Sequence, residues 1–255
     1  MDLTVFVPFF LLGTFSGSFL NVLIYRISEE LSVVLPRSFC PNCKTTIPFY
    51  RNVPLVSFIL QFGKCHSCKE KISFQYPTVE FISGLIWGWS FANFQWDFAL
   101  FVSGLVSLLF VISWIDFKTM QIPLNLIIFC GVFVILGIIL NILPIKDTIL
   151  GIIIGPISFF IVLGVTFLIS KRQSMGYGDI QLSAILGGWL GPINILIVFF
   201  LASLFSLVGW GILSFKSGFD KNRALPFAPF LVLSGVGLFV FEFYLESTLF
   251  EIIFF

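Results

Sequence analysis

The chain has 255 residues, of which 58% are hydrophobic and 11% charged, and its mean hydropathy is +1.07. A water-soluble globule carries roughly a quarter charged residues, so an ordinary soluble domain is excluded. The net charge is only +1, which supplies no electrostatic case for nucleic acid, and no such partner is expected.

A membrane-crossing helix needs about 20 predominantly apolar residues. Eight segments are predicted to serve, at 3–25, 78–94, 98–115, 124–143, 148–169, 180–191, 193–215 and 225–245. The chain thus reads as an all-α polytopic membrane protein of about eight transmembrane helices. The sixth is short and crosses only with tilt or local thinning of the bilayer. Met1-Asp2-Leu3-Thr4 lacks the basic start of a secretory signal, so the first span is expected to be retained.

Where the cations fall orients these spans, because Lys and Arg accumulate in cytoplasmic loops. Seven of the 14 basic residues lie between Arg26 and Lys71. Lys118 follows the third span, Lys171 and Arg172 the fifth, and Lys216, Lys221 and Arg223 the seventh, whereas Lys146 alone falls on the other side. Both termini are therefore expected outside, and the loops at 26–77, 116–123, 170–179 and 216–224 in the cytoplasm. The basic residues would meet anionic lipid headgroups, so membrane lipid is an expected partner. The division that follows is a first transmembrane helix at 1–25, a polar segment at 26–77 and a membrane core at 78–255.

The polar segment holds two C-x-x-C pairs, Cys40-Pro41-Asn42-Cys43 and Cys65-His66-Ser67-Cys68, separated by 21 residues. Each pair can turn two thiolates to one side, and two such knuckles close a tetrahedron around zinc. Disulfides are the alternative, but the charge pattern puts these cysteines in a reducing compartment. Four thiolates leave no open position, so Cys40, Cys43, Cys65 and Cys68 are predicted to hold a structural zinc in a small cytoplasmic domain. His66 reads as an exposed knuckle residue, and Cys130, alone in the fourth span, as a small buried apolar side chain.

Two carboxylates stand at the same cytoplasmic edge. Asp116 closes the third span in Ser113-Trp114-Ile115-Asp116, and Asp179 opens the sixth in Gly176-Tyr177-Gly178-Asp179. Ionisable residues at membrane depth usually face a cavity or bundle interior, which makes both catalytic candidates. Their bland readings are a helix cap for Asp179 and a solvated partner of Lys118 for Asp116. Gly176 and Gly178 favour the catalytic reading, since glycine permits close approach to a neighbouring helix or extended substrate. Glu80 heads the second span and is the acidic candidate for contact with a basic substrate segment; its alternative is a helix-dipole partner. An ion-coupled transporter is the competing function, against which stands the placement of both acids at one face.

These residues, taken with Gly17-Ser18-Phe19-Leu20-Asn21 through Arg26, Asn52-Val53-Pro54-Leu55, Gln75-Tyr76-Pro77-Thr78-Val79-Glu80, Ile122-Pro123 and Leu225-Pro226-Phe227-Ala228-Pro229, resemble the prepilin peptidases, bacterial G-x-G-D membrane aspartic proteases. The resemblance implies an inner-membrane endopeptidase that removes the basic leader of type IV prepilins or type II secretion pseudopilins on the cytoplasmic side. It matches Asp116 and Asp179 to the catalytic aspartates. It also implies S-adenosylmethionine-dependent N-methylation of the new terminus, an activity without a signature in composition or spacing. The chain departs from the pattern at Gln75, usually Arg, at Leu124, often Asp, and at Gln181, commonly Lys.

Overall fold

The computed structural model describes residues 2–35, 37–170, 176–220 and 224–254. Lys171, Arg172, Lys221 and Arg223, which carry part of the charge asymmetry, lie outside them. Among the described residues there is no strand, and nine α-helices follow in order: α1 (Leu3–Ser28), α2 (Val56–Leu60), α3 (Gln75–Asn93), α4 (Trp96–Thr119), α5 (Leu124–Ile139), α6 (Ile145–Ser170), α7 (Tyr177–Leu190), α8 (Pro192–Ser217) and α9 (Ala228–Phe254). Each expected span coincides with one of them, and α2 is the addition, inside the cysteine segment. Five, namely α1, α4, α6, α8 and α9, are long and apolar enough to cross a membrane, and α5 is a shorter apolar helix. The chain divides into two compact units, Met1–Ser107 and Leu108–Phe255, with the boundary inside α4.

In the first unit, glycines set the packing of α1 on α3. A Cβ on Gly13 would lie 2.6 Å from the Ser83 carbonyl oxygen, and one on Gly17 would lie 2.6 Å from the Glu80 Cα. The Phe10 and Phe6 rings fill the space over Gly84 and Gly88 in return. Small residues four apart on both helices let the backbones approach where lipid gives no hydrophobic drive. Farther along, Phe9 stacks on Phe91 at 3.8 Å, and Trp96 meets both rings edge-on. At the other end of α1, buried Asn21 donates to the Tyr76 carbonyl at 3.0 Å and accepts from Gln75 Nε2 at 3.4 Å. Arg26 is also buried and donates to the carbonyls of Ser32 and Val33 at 2.8 and 3.0 Å. It clamps the loop that leaves α1, a more specific duty than membrane-side anchoring.

In the second unit, α7 has 14 residues and rises only about 21 Å, too little to span a bilayer upright. It has no need to, because it is sheathed by α5, α6, α8 and α9. Its backbone lies directly against α6, where Gly151 faces Gly187 and Gly155 faces Ser183 so closely that any Cβ would overlap a carbonyl. Ile180, Leu182, Ile185, Leu186 and Trp189 are buried around that contact. The start of α9 is fixed by aromatic packing, with fully buried Phe159 of α6 meeting Phe199 of α8 at 4.5 Å and Phe227 at 6.0 Å. Pro229 sits in the first turn of α9, so this proline begins a plain helix.

Candidate active site and metal centre

Both sequence-predicted aspartates belong to the second unit. Asp116 lies in the last turn of α4, which stops where Met120 turns to a φ of 54° and donates its N–H to the Asp116 carbonyl at 2.8 Å. Its side chain is only 5% exposed, which removes the solvated reading. Asp116 Oδ2 accepts the backbone N–H of Ala228 at 3.1 Å. That donor has a local cause: Phe227 accepts the N–H groups of Phe230 and Leu231, Pro229 has no N–H, and the Ala228 amide is left at the positive end of α9.

Asp179 is the third residue of α7 and is 8% exposed. Its Oδ2 accepts the Gly176 N–H at 3.3 Å, so it does secure the helix start, though from inside the first turn and not from the cap position. The charge of Asp116 acts directly on Asp179, so the two carboxylates sit within Coulomb range of each other.

The two glycines of the tetrapeptide differ in what the fold asks of them. A Cβ on Gly178 would stand 2.7 Å from the Ile122 Cβ, so this position seats Ile122-Pro123 against the start of α7 and brings the segment after Asp116 beside Asp179. Gly176 is extended at φ −82° and ψ 150°, with nothing closer than 3.6 Å to an added Cβ. Its contribution is an N–H that any residue but proline carries. Gln181 and Leu124 are both exposed, so these departures lie on the surface. Sequence reasoning missed Ala228 and Ile122 as the residues that hold the pair. The Pro226 to Pro229 spacing was the available signal for Ala228, because a proline marks a helix start and the amide just before it there has no partner within the helix.

Glu80 lies in the first unit. It is buried, its Oε2 accepts the Leu55 N–H at 2.8 Å, and Ser18 hydrogen-bonds its side chain. Leu55 has φ 60° and ψ −50°, and the Val56 N–H closes onto the Pro54 carbonyl at 2.6 Å. This is the rare form of the γ-turn, strained for a residue with a side chain. Glu80 thus ties the cysteine segment to the α1/α3 pair, which accounts for Ser18, Asn52-Val53-Pro54-Leu55 and Glu80 as one assembly.

Within the cysteine segment the two knuckles repeat one another. Cys40 and Cys65 each donate N–H to the carbonyl five residues on, at 3.0 and 2.8 Å, and accept from the amide four residues on, that of Lys44 or Lys69, at 2.9 and 3.0 Å. Both of those lysines have positive φ, and the bridges Phe39–Thr46 and Lys64–Lys71 close the two turns alike. Cys40 faces Cys68 at 3.9 Å, Cys43 faces Cys65 at 4.0 Å, and all four sulfurs lie within 4.8 Å of one another. Four thiolates at about 2.3 Å from one zinc sit about 3.8 Å apart, so the cluster could hold that ion without rearrangement. A disulfide, about 2.05 Å long, is not formed. Thr45 draws the Cys43 thiol down to about 6, backbone amides lower Cys65, and burial pushes Cys40 up to about 11. His66 is exposed, outside the cluster, and the nearby Arg51 charge lowers its imidazole pKa.

A buried carboxylate pair on an all-helical membrane scaffold, in a chain that also carries a four-thiolate cluster, fits a membrane aspartic peptidase architecture. Residues 11–94 match the model of the bacterial peptidase A24 N-terminal domain, and residues 103–211 match that of the type IV leader peptidase family. The chain is 32% identical to a prepilin leader peptidase/N-methyltransferase of Neisseria gonorrhoeae, covering 92% of this chain and 91% of the relative. It is 31% identical to a type 4 prepilin-like proteins leader peptide-processing enzyme of Escherichia coli O78:H11, covering 88% and 89%. With a prepilin leader peptidase/N-methyltransferase of Pseudomonas aeruginosa it shares 30% identity over 88% and 86%. The chain belongs to the type IV leader peptidase family. No solved structure matches it.

Proposed function

We propose that this protein is an inner-membrane aspartic endopeptidase that removes the basic leader from type IV prepilins or pseudopilins, with Asp116 and Asp179 as the reacting groups. One observation carries the reading: two buried carboxylates in one compact unit, within Coulomb range, each held through one oxygen by a backbone N–H at a helix start. Two like charges so placed do not both ionise readily, so the pair shares a proton. The ionised member takes a proton from water as its oxygen attacks the scissile carbonyl, and the protonated member hydrogen-bonds the carbonyl oxygen. Collapse of the tetrahedral adduct passes a proton to the leaving amine, and the two carboxyls exchange roles. These roles belong to the pair and not to either residue.

The cations flanking the spans support a cytoplasmic placement for the aspartates and the cysteine segment. Zinc in the four-cysteine cluster would brace residues 26–77 and, through Leu55 and Glu80, the start of α3. It takes no part in the cleavage. The relatives' names extend the reading to N-methylation, for which S-adenosylmethionine would be the donor. A glycine-rich strand-to-helix turn has no counterpart among the described residues. The test is incubation of purified protein with a prepilin, followed by intact mass of the product. Leader loss that Asp116→Asn and Asp179→Asn each abolish is expected, and an added methyl group would read out the second activity.

A further inference from the structure

The cysteine segment turns an apolar stripe outward. Val56, Ile59 and Leu60 share one face of α2 at helical spacing, and Ile59 and Leu60 are 69% and 72% exposed. Phe62, two residues past the end of α2, has a φ of 52° and is 88% exposed. The other side of the helix is engaged: Ser57 Oγ accepts the Val53 N–H at 2.9 Å, and Phe58 meets Phe74 edge-on at 5.6 Å. A short helix that tucks in its serine and turns out three aliphatic side chains is the reverse of what water selects.

What covers the stripe follows from the depth at which α2 is held. Asn21 and Gln75 meet at 3.4 Å where α3 begins, a polar rim on the α1/α3 pair. The Glu80 carboxylate lies beyond that rim, because the residue that hydrogen-bonds it on α1 is Ser18, three residues and about 5 Å farther into the span than Asn21. That carboxylate accepts the N–H of Leu55, the residue immediately before α2. The short helix therefore starts beside the apolar stretch of a helix long enough to cross the membrane, below the polar rim and not above it. Phe19, next to Ser18, and Phe81, next to Glu80, expose rings on both helices at this level. The strained turn at Leu55 has its use here, since it fixes α2 at that depth. Residues 45–75 also carry four cations, Arg51, Lys64, Lys69 and Lys71, against the single acid Glu70. Apolar side chains bordered by cations match a bilayer surface with acidic headgroups.

We infer that α2 and Phe62 lie in the headgroup–acyl boundary of the bilayer, with the stripe in lipid and the neighbouring cations on acidic headgroups. The cysteine segment is then a lipid-binding module seated in one leaflet and not a domain projecting into water. The inference rests on the membrane reading of the chain and is independent of the cleavage chemistry.

The test labels the full chain with trifluoromethyl-phenylalanine in place of Phe62, in place of Ile59, or in place of Phe19 on α1 as the lipid reference. All three side chains are exposed, so the label leaves the packing undisturbed. Each protein is placed in nanodiscs of phosphatidylcholine and phosphatidylglycerol, and fluorine relaxation is measured with dissolved oxygen, which concentrates in hydrocarbon, and with a neutral gadolinium chelate, which stays in water. The ratio of oxygen to gadolinium enhancement is expected to exceed unity at 59 and 62, as at 19. A gadolinium-dominated signal at 59 or 62, with 19 still oxygen-dominated, puts the stripe in water, open to a protein partner, and overturns the inference alone. A gadolinium-dominated signal at 19 as well removes α1 from lipid and takes the membrane reading with it.

Discussion

Asp116→Asn separates what the carboxylate does for the fold from what it does for the reaction. The amide keeps an acceptor oxygen for the Ala228 N–H, which now lies 3.1 Å from Asp116 Oδ2. A hydrogen bond to a charged acceptor contributes about 1.5–3 kcal/mol and a neutral one about 0.5–1.5 kcal/mol, so the expected loss of stability is about 1 kcal/mol. Asp116→Ala leaves that buried N–H unpaired, with a further cost of about 1–3 kcal/mol, and should loosen the start of α9. Chemistry responds differently. An amide neither takes nor gives a proton at catalytic pH, and general acid–base roles are each worth about 10²–10⁴-fold, so both variants should fall to background. The assay is conversion of a purified precursor to its mature form in detergent, read by mobility and mass, beside thermal unfolding of the same preparations. Asp116→Asn with near-native unfolding and cleavage within about tenfold of wild type would refute the role given to this residue.

Gly178→Ala should destabilise the protein by about 1–3 kcal/mol through overpacking against Ile122 and cut the cleavage rate, whereas Gly176→Ala should stay close to wild type; equal effects would contradict the contact at Ile122. Glu80→Ala should expose residues 49–62 to limited proteolysis by releasing the strained turn at Leu55, while Glu80→Gln retains an acceptor and much of the protection. One zinc per chain is expected by elemental analysis, lost on chelation or in Cys43→Ser. Because burial holds the Cys40 thiol up to about 11 and a ligand must shed its proton, apparent metal affinity should strengthen from about pH 6 to pH 8 in competition with a chelator. A flat profile would argue against thiolate ligation.

The apolar runs between charged loops made eight helices legible without coordinates, because a chain in lipid has few ways to satisfy its backbone. Pair spacing alone placed the four cysteines around one point, and the knuckles bear that geometry out. Even so, the shared pattern after Cys43 and Cys68, a lysine at positive φ in each, went unread, since a repeat of a few residues is invisible until its hydrogen bonds are drawn. The glycine pairs at Gly13 and Gly17, Gly84 and Gly88, and Gly151 and Gly155 stood in the sequence as small residues four apart. Only packing assigned each pair its partner.

Residue type and membrane depth singled out Asp116 and Asp179 because a carboxyl is costly there without a purpose. Nothing in the order of residues could tell that Ala228, more than a hundred positions away in the chain, supplies the amide that holds Asp116, or that Gly178 is demanded by Ile122 and Gly176 is not. Nor could it reveal that Glu80 is already occupied by a backbone amide. Composition and periodicity report what each segment must bury or expose, and so they determined the class of this protein and its candidate carboxylates. Which donor meets which acceptor depends on distances that close only when helices far apart in the chain pack together, and those the tertiary structure alone decided.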